Sequence, residues 1–177
     1  MSLTGDTGPI NIFAHSRPHY LQRCLDSIKQ QTVKPWSVTV WVDGVENKFS
    51  GRRTCRPEDH EKVIEVAENH PVVTDLQVMD ENLGVAIMQF EVYEDLCHRR
   101  DLHRFHTFLD DDVVLGPDYL RLTELLIPWL IEDDTLFSAT PAFRRTVALD
   151  RIPFHLDTVE YGEFNWIGYV MDLGKWD

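Results

Sequence analysis

Apolar residues fall along the chain in two alternating patterns: short continuous runs, and longer stretches where they recur every three or four positions. Ile10-Asn11-Ile12-Phe13-Ala14 is a run of the first kind. Behind it Ser16 is an N-cap candidate and Pro18 suits a first helical turn, so a strand feeding a helix is expected. Leu21, Cys24, Leu25 and Ile28 keep helical spacing until Lys34-Pro35, which places the helix at about residues 18 to 31. Val38-Thr39-Val40-Trp41-Val42 is β-branched and aromatic, has few polar positions and ends at Asp43-Gly44, as a buried parallel strand does. Polar residues 45 to 56, with Arg52, Arg53 and Arg56, read as a loop. The helix that follows starts near Pro57, ends at Asn69-His70-Pro71 and turns Val63, Ile64 and Ala67 inward.

The alternation continues. Val72 to Met79 is a third strand, and Asp80 to Gly84 leads into a helix with Ala86, Phe90, Tyr93 and Cys97 on one face. Phe105 to Leu109 is a fourth strand that runs into Asp110-Asp111-Asp112. After Gly116-Pro117 a helix with Tyr119, Leu122, Leu126 and Trp129 inward is expected, then a short strand from Thr135 to Thr140. Strands alternating with helices specify an α/β fold: a mostly parallel central sheet with helices on both faces, reached by right-handed crossovers. In such sheets ligands bind at the carboxyl ends of the strands. Three polar groups fall there: His15 to Arg17, Asp43, and the aspartate triplet.

Composition narrows the partners. Among 177 residues, 30 acids against 17 lysines and arginines give a formal charge of -13, which argues against a nucleic-acid binder. The 43% apolar and 11% aromatic content is that of one globular domain, residues 10 to 177, behind a flexible leader or cloning remnant at 1 to 9. No apolar run approaches the roughly 20 residues of a membrane span, and no signal peptide pattern opens the chain, so a cytoplasmic protein is expected. Cys24, Cys55 and Cys97 form no CxxC pair and suit reduced thiols.

Three aspartates in a row at the end of a buried strand repel one another and lose hydration, and a cation is the simplest compensation. Hard oxygen ligands suit Mg2+ or Mn2+, which bridge one or two carboxylates to substrate phosphates. Taken without its strand, the triplet reads more readily as a solvated acidic turn or a helix N-cap cluster; its place after Phe105 to Leu109 reverses that preference. The nine glycines form neither GxGxxG nor GxxxxGK[ST], so a phosphate has to be held otherwise. Arg17 at a helix start would supply the positive field, or is an ordinary surface arginine. Asp43 would accept from a ribose hydroxyl or a base imide, or belongs to a plain turn. Asn82-Leu83-Gly84 would let backbone approach a ligand, since Gly lacks a Cβ, or is ordinary turn chemistry at a helix start. Cys97, His98, His103 and His106 match no familiar zinc spacing. Trp129, Trp166 and Trp176 are sugar-stacking candidates or core.

Together these segments resemble the GT-A type glycosyltransferases, which bind nucleotide-sugar donors on a Rossmann-like sheet with a divalent metal at an Asp-x-Asp site. Asn11 to Pro18 resembles the first strand and nucleotide loop, Trp41-Val42-Asp43-Gly44 the second strand end, and Asn82-Leu83-Gly84-Val85-Ala86 the segment before the metal strand. Phe108 to Leu120, an acidic triplet followed by Pro-Asp-aromatic, is similar to the N-acetylglucosaminyltransferase I type. The resemblance covers about residues 10 to 140. It implies that Ala14, His15 and Arg17 contact the uracil or diphosphate, Asp43 the base, Asp110 and Asp111 the ribose and sugar, and Asp112 the metal. Glu163 in Glu163 to Met171 resembles the family's catalytic acid position and is the implied general base, although it stands where the family has aspartate. The implied partners are a nucleoside-diphosphate sugar and an unknown hydroxyl acceptor, glycan or small molecule. Compared with related domains, the chain is either trimmed or a minimal member. Two rivals stay open: a sugar nucleotidyltransferase, whose Gly-rich, Lys/Arg-bearing first loop is not found here, and a binding module without turnover.

Overall fold

The computed structural model describes residues 8–99, 103–141 and 168–176. Its elements are β1 (Ile10–Ala14), α1 (Pro18–Lys29), β2 (Val38–Val42), α2 (Pro57–Asn69), β3 (Asp75–Val78), α3 (Val85–His98), β4 (Phe105–Asp110), α4 (Tyr119–Glu132), β5 (Ser138–Ala139) and β6 (Tyr169–Asp172). The strands form one six-stranded sheet in the order β3-β2-β1-β4-β6-β5. β1 pairs in parallel with β2 and β4, and β2 with β3, so the α/β architecture read from the sequence holds. β6 runs antiparallel to both β4 and β5.

Strand parity divides the apolar side chains between two cores. Ile10, Ile12 and Ala14 of β1 and Val38, Val40 and Val42 of β2 meet α1, α2 and Leu120 of α4 on one face. Phe13, Trp41 and Phe108 point to the other face and pack against Met88, Val92, Tyr93 and Leu96 of α3. Side chains buried as completely as Ile10, Ile12 and Leu25 each stabilise the fold by about 1.5–3 kcal/mol. The sheet is thus covered on both sides, and the free rim left to a ligand is the line of strand ends.

Several elements differ from the pattern reading. Arg17, not Ser16, occupies the N-cap of α1, and its side chain makes no cap bond; Ser16 lies against His15 Nδ1 instead. α1 stops at Lys29 because Gln31 is drawn inward to donate to Gly116 O at 2.7 Å and accept from Leu120 N at 3.0 Å. The third strand is shorter than 72 to 79: it begins at Asp75, just after Thr74, whose N–H donates to Val38 O while its hydroxyl takes the Val38 N–H. It is an edge strand, and its pattern of exposure shows it. On α3 the inward face is Met88, Gln89, Val92, Tyr93 and Leu96, whereas Ala86 and Phe90 are exposed. That helix carries apolar residues around its whole circumference, so periodicity alone could not pick the side the sheet would cover. On α4 the buried set is Tyr119, Leu120, Thr123, Glu124 and Leu130, with Trp129 exposed, for the same reason. The strand expected over 135 to 140 shrinks to Ser138–Ala139, and β6, unforeseen as a strand, sits between it and β4. Trp176 packs edge-on against Tyr93 and donates to Glu94, which assigns it to the α3 core face. Trp166 lies outside the described residues.

A buried polar chain crosses the α3 face of the sheet. Trp41 Nε1 donates to Asn11 Oδ1 at 3.1 Å, and Asn11 Nδ2 donates to His106 Nδ1 at 3.1 Å. An accepting Nδ1 requires a neutral ring, and burial holds His106 down to about 4 from the ordinary 6.5. The unfolded chain therefore binds this proton near pH 6.5 and the folded chain only near 4. The contribution of His106 is complete above 6.5 and is lost as pH falls toward 4, about 3 kcal/mol in all. Asp110, raised to about 6 by burial and by Asp112 and Asp111, acts in the opposite sense over the same span. Urea unfolding of wild type and His106→Asn at pH 7 and pH 4.5 separates the two: wild type is expected to lose about 2 kcal/mol more than the variant between these pH values.

Candidate functional site

β1, β2 and β4 run parallel and end side by side, so the residues after each strand share one rim. The register pairs Phe13 with Asp110, and Asp111 N donates to Phe13 O at 3.0 Å, which lifts the acid triplet beside the start of the first loop. Asp110 is half-buried, Asp111 buried at 2% exposure and Asp112 exposed. Burial raises the Asp110 and Asp111 carboxyls above the usual carboxylate range, helped by their acidic neighbours and opposed by Arg17.

Arg17 faces the triplet directly. Its Nη2 pairs with Asp111 Oδ1, its Nε reaches Asp111 Oδ2 at 3.4 Å, and its Nη1 reaches Asp112 Oδ2 at 2.9 Å. The guanidinium also lies over the Tyr20 ring at 5.3 Å. The sequence reading assigned this arginine to phosphate; the structure makes it first the counter-ion of two aspartates. A separation of 94 residues hides that pairing from any local pattern. One guanidinium against three carboxylates leaves the rim with surplus negative charge, and the oxygens available are of the hard kind that Mg2+ or Mn2+ takes. Among the described residues no group of three or more His, Cys, Asp or Glu converges on a metal position. A donor set of one or two carboxylates fits an ion that keeps waters and takes its remaining ligands from a substrate phosphate.

At the end of β2, Asp43 is buried and its carboxylate is filled. Oδ1 accepts from Gly44 N at 3.0 Å and Leu83 N at 2.8 Å; Oδ2 accepts from Asn82 Nδ2 at 2.7 Å and Gly84 N at 2.9 Å. Four protein donors occupy the lone pairs that the sequence reading offered to a base or ribose, so Asp43 here anchors the Asn82–Gly84 loop. Gly84 adopts φ 77, a conformation glycine takes without steric penalty, and so lets its N–H turn back to Asp43. Ala14 is buried, and its carbonyl accepts from Asp43 N at 2.9 Å.

His15 joins this knot to the next loop. Its Nε2 lies 3.1 Å from Gly44 O, 3.1 Å from Thr54 Oγ1 and 3.4 Å from Asn82 Nδ2. His60 of α2 donates from Nε2 to Asp43 O at 2.9 Å and stands edge-on to His15. Neither His60 nor Thr54 was a site candidate from sequence, and only the crossover through α2 brings them here. Gly44 is needed for closeness: a Cβ there would lie 2.4 Å from Glu81 C and 2.7 Å from Asn82 N. Gly44→Ala is therefore expected to destabilise the protein by about 2 kcal/mol, read as a lower urea midpoint at unchanged slope. Glu163 lies outside the described residues.

No protein-family model matches this sequence, and no curated protein matches it. Solved structures do share its fold, which is that of the GT-A Rossmann-like glycosyltransferases. A mannosyltransferase from Pyrobaculum calidifontis, in complex with GDP-Man and Mn2+, is 17% identical with a TM-score of 0.50, over 75% of this chain and 34% of that one. The galactosyltransferase LgtC, in complex with donor and acceptor sugar analogs, is 16% identical with a TM-score of 0.51, over 95% of this chain and 59% of that one. The chain thus spans about a third and about three fifths of the lengths of these two proteins. Among the described residues, no helix is long and apolar enough to cross a membrane.

Proposed function

We propose that residues 10 to 177 form one domain of a metal-dependent glycosyltransferase, which moves a sugar from a nucleoside-diphosphate sugar, UDP-linked, to an acceptor hydroxyl with inversion. The observation that carries this reading is the rim itself: an acid triplet ending β4, faced by Arg17 from the end of β1, next to the Asp43-held loop at the end of β2. Its support from outside is the likeness to two nucleotide-sugar-type folds, one seen with GDP-Man and Mn2+. The resemblance of Phe108 to Leu120 to the N-acetylglucosaminyltransferase I type supports UDP and inversion.

Asp112, exposed at the tip of the triplet, is the residue that would hold the divalent metal, Mn2+ or Mg2+, which when bound supplies positive charge against the departing diphosphate. Arg17 neutralises Asp111 and Asp112 in the free protein and, on donor binding, turns its fork to the diphosphate. Asp110 and Asp111 accept from ribose and sugar hydroxyls. Ala14 and His15 line the base side, with Asn82 and Gly84 offering close backbone. Asp43 serves by holding that backbone in place. Glu163 takes the proton from the acceptor hydroxyl, on the side of the anomeric carbon opposite the leaving group.

The test is incubation with Mn2+ and a panel of nucleotide sugars, with release of nucleoside diphosphate measured with and without chelator. Chelator-sensitive release from a UDP sugar is the expected result. Pyrophosphate release would indicate a nucleotidyltransferase, and binding without turnover a recognition module; either result overturns the proposal.

A further inference from the structure

In the loop at 45 to 56 of this acidic chain cations dominate: Lys48, Arg52, Arg53 and Arg56 stand against Glu46 alone. It is a built hairpin. Asn47 N donates to Arg52 O at 2.9 Å, Thr54 N to Val45 O at 2.9 Å and Gly51 N to Asn47 O at 2.8 Å, with Gly51 at φ 63 closing the turn. Asn47 Oδ1 then accepts from Phe49 N, Ser50 N and Ser50 Oγ, which fixes the tip. On that pinned tip Phe49 is 71% exposed, more than any other large apolar side chain among the described residues. Lys48, Arg52 and Arg53 are exposed beside it, while Arg56 turns away to Asp59. An ordered turn that holds an aromatic ring in water, with cations around it, gains nothing for folding from that ring.

The foot of the hairpin stands on the rim already described. Asn82 N donates to Glu46 O at 2.7 Å, Lys48 N to Asn82 O at 3.0 Å, and Thr54 Oγ1 meets His15 Nε2 at 3.1 Å. In the proposed function the diphosphate falls to Arg17, whose described ion pairs are with Asp111 and Asp112, whereas the hairpin meets the rim at His15 and Asn82. The hairpin cations are thus a second positive group, separate from Arg17, on the same edge of the sheet.

We infer that this hairpin docks the acceptor, and that the acceptor is an anionic saccharide: a sugar ring stacked on Phe49, with its carboxylate or phosphate held by Lys48, Arg52 and Arg53. Ring stacking supplies apolar contact over a sugar face, and charge-assisted bonds from arginine supply the choice of an acid-bearing sugar over a neutral one. The inference rests on the proposed glycosyl transfer for the identity of its ligand as acceptor.

The experiment titrates the full chain, in Mn2+ and UDP, with a glucuronate-containing tetrasaccharide, a phosphorylated maltotetraose, unmodified maltotetraose, and vesicles of anionic phospholipid. Expected is binding of at least one acid-bearing sugar about tenfold or more tighter than the neutral one, weakening as salt is raised; which of the two binds tells carboxylate from phosphate. Arg52→Ser/Arg53→Ser should reduce that affinity about tenfold and Phe49→Ala by several-fold, with UDP binding unchanged in both. Unchanged UDP binding also shows that the variants are folded. UDP binding with no preference for either acid-bearing sugar overturns the hairpin inference alone, as does binding to vesicles but not to sugars. Absence of UDP binding in wild type overturns the donor-site reading instead.

Discussion

Asp112→Ala is expected to abolish the Mn2+-dependent part of UDP-sugar binding, a loss of about a hundredfold or more in affinity, while leaving the protein as stable as before. The two halves of this result have separate causes. Asp112 is exposed and its only described ion pair is with Arg17, itself 46% exposed, so the pair contributes at most about 1 kcal/mol to folding. Asp111 retains its own bonds to Arg17 when Asp112 is gone, so the arginine stays placed. What the substitution removes is the exposed carboxylate proposed to hold the metal. Calorimetric titration of a UDP sugar with Mn2+ and with chelator, alongside urea unfolding, reads both quantities. Donor affinity that is indifferent to the substitution and to chelator would falsify the assignment of Asp112.

For Asp43→Ala the expected result is the reverse: a large loss of stability together with a loss of donor binding. The alanine leaves Gly44 N, Leu83 N, Gly84 N and the Asn82 amide without their acceptor at a buried position. Each orphaned buried donor costs about 1–3 kcal/mol, softened where water enters, so a total near 4 kcal/mol is expected. For a chain of this length that lowers the melting temperature by roughly 10 °C. Asp43→Asn keeps the shape but turns an N–H toward donors, and should recover less than half of the loss. A melting temperature within about 2 °C of wild type for Asp43→Ala would show that the Asn82–Gly84 loop is held by something else.

Both predictions depend on contacts that no stretch of sequence contains. The places of Asp43 and the aspartate triplet were legible, because short β-branched and aromatic runs ending in polar residues mark strand ends, and parallel strand ends converge. Their bonding was not. Asp43 reads as a free acceptor until the Asn82–Gly84 loop, 39 to 41 residues on, is seen to fill it. Arg17 reads from sequence as a phosphate ligand or a surface arginine, and its pairing with Asp111 and Asp112 is seen only in the structure. The hairpin at 45 to 56 reads from sequence only as a polar loop, since its order comes from the Asn47 side chain and from Asn82 rather than from apolar periodicity.

The apolar-to-polar rhythm by itself determined the α/β class, the parallel core of β1, β2, β3 and β4, and the row of chemical groups along its rim. These follow from period and strand direction, which are local properties of the chain. The tertiary structure alone decided which faces of α3 and α4 are buried, that β6 enters antiparallel beside β4, and which charges meet at the rim. Helices that are apolar all round carry no local preference for one side, and a carboxylate accepts from whichever donor arrives, so in each case the choice belongs to neighbours distant in sequence.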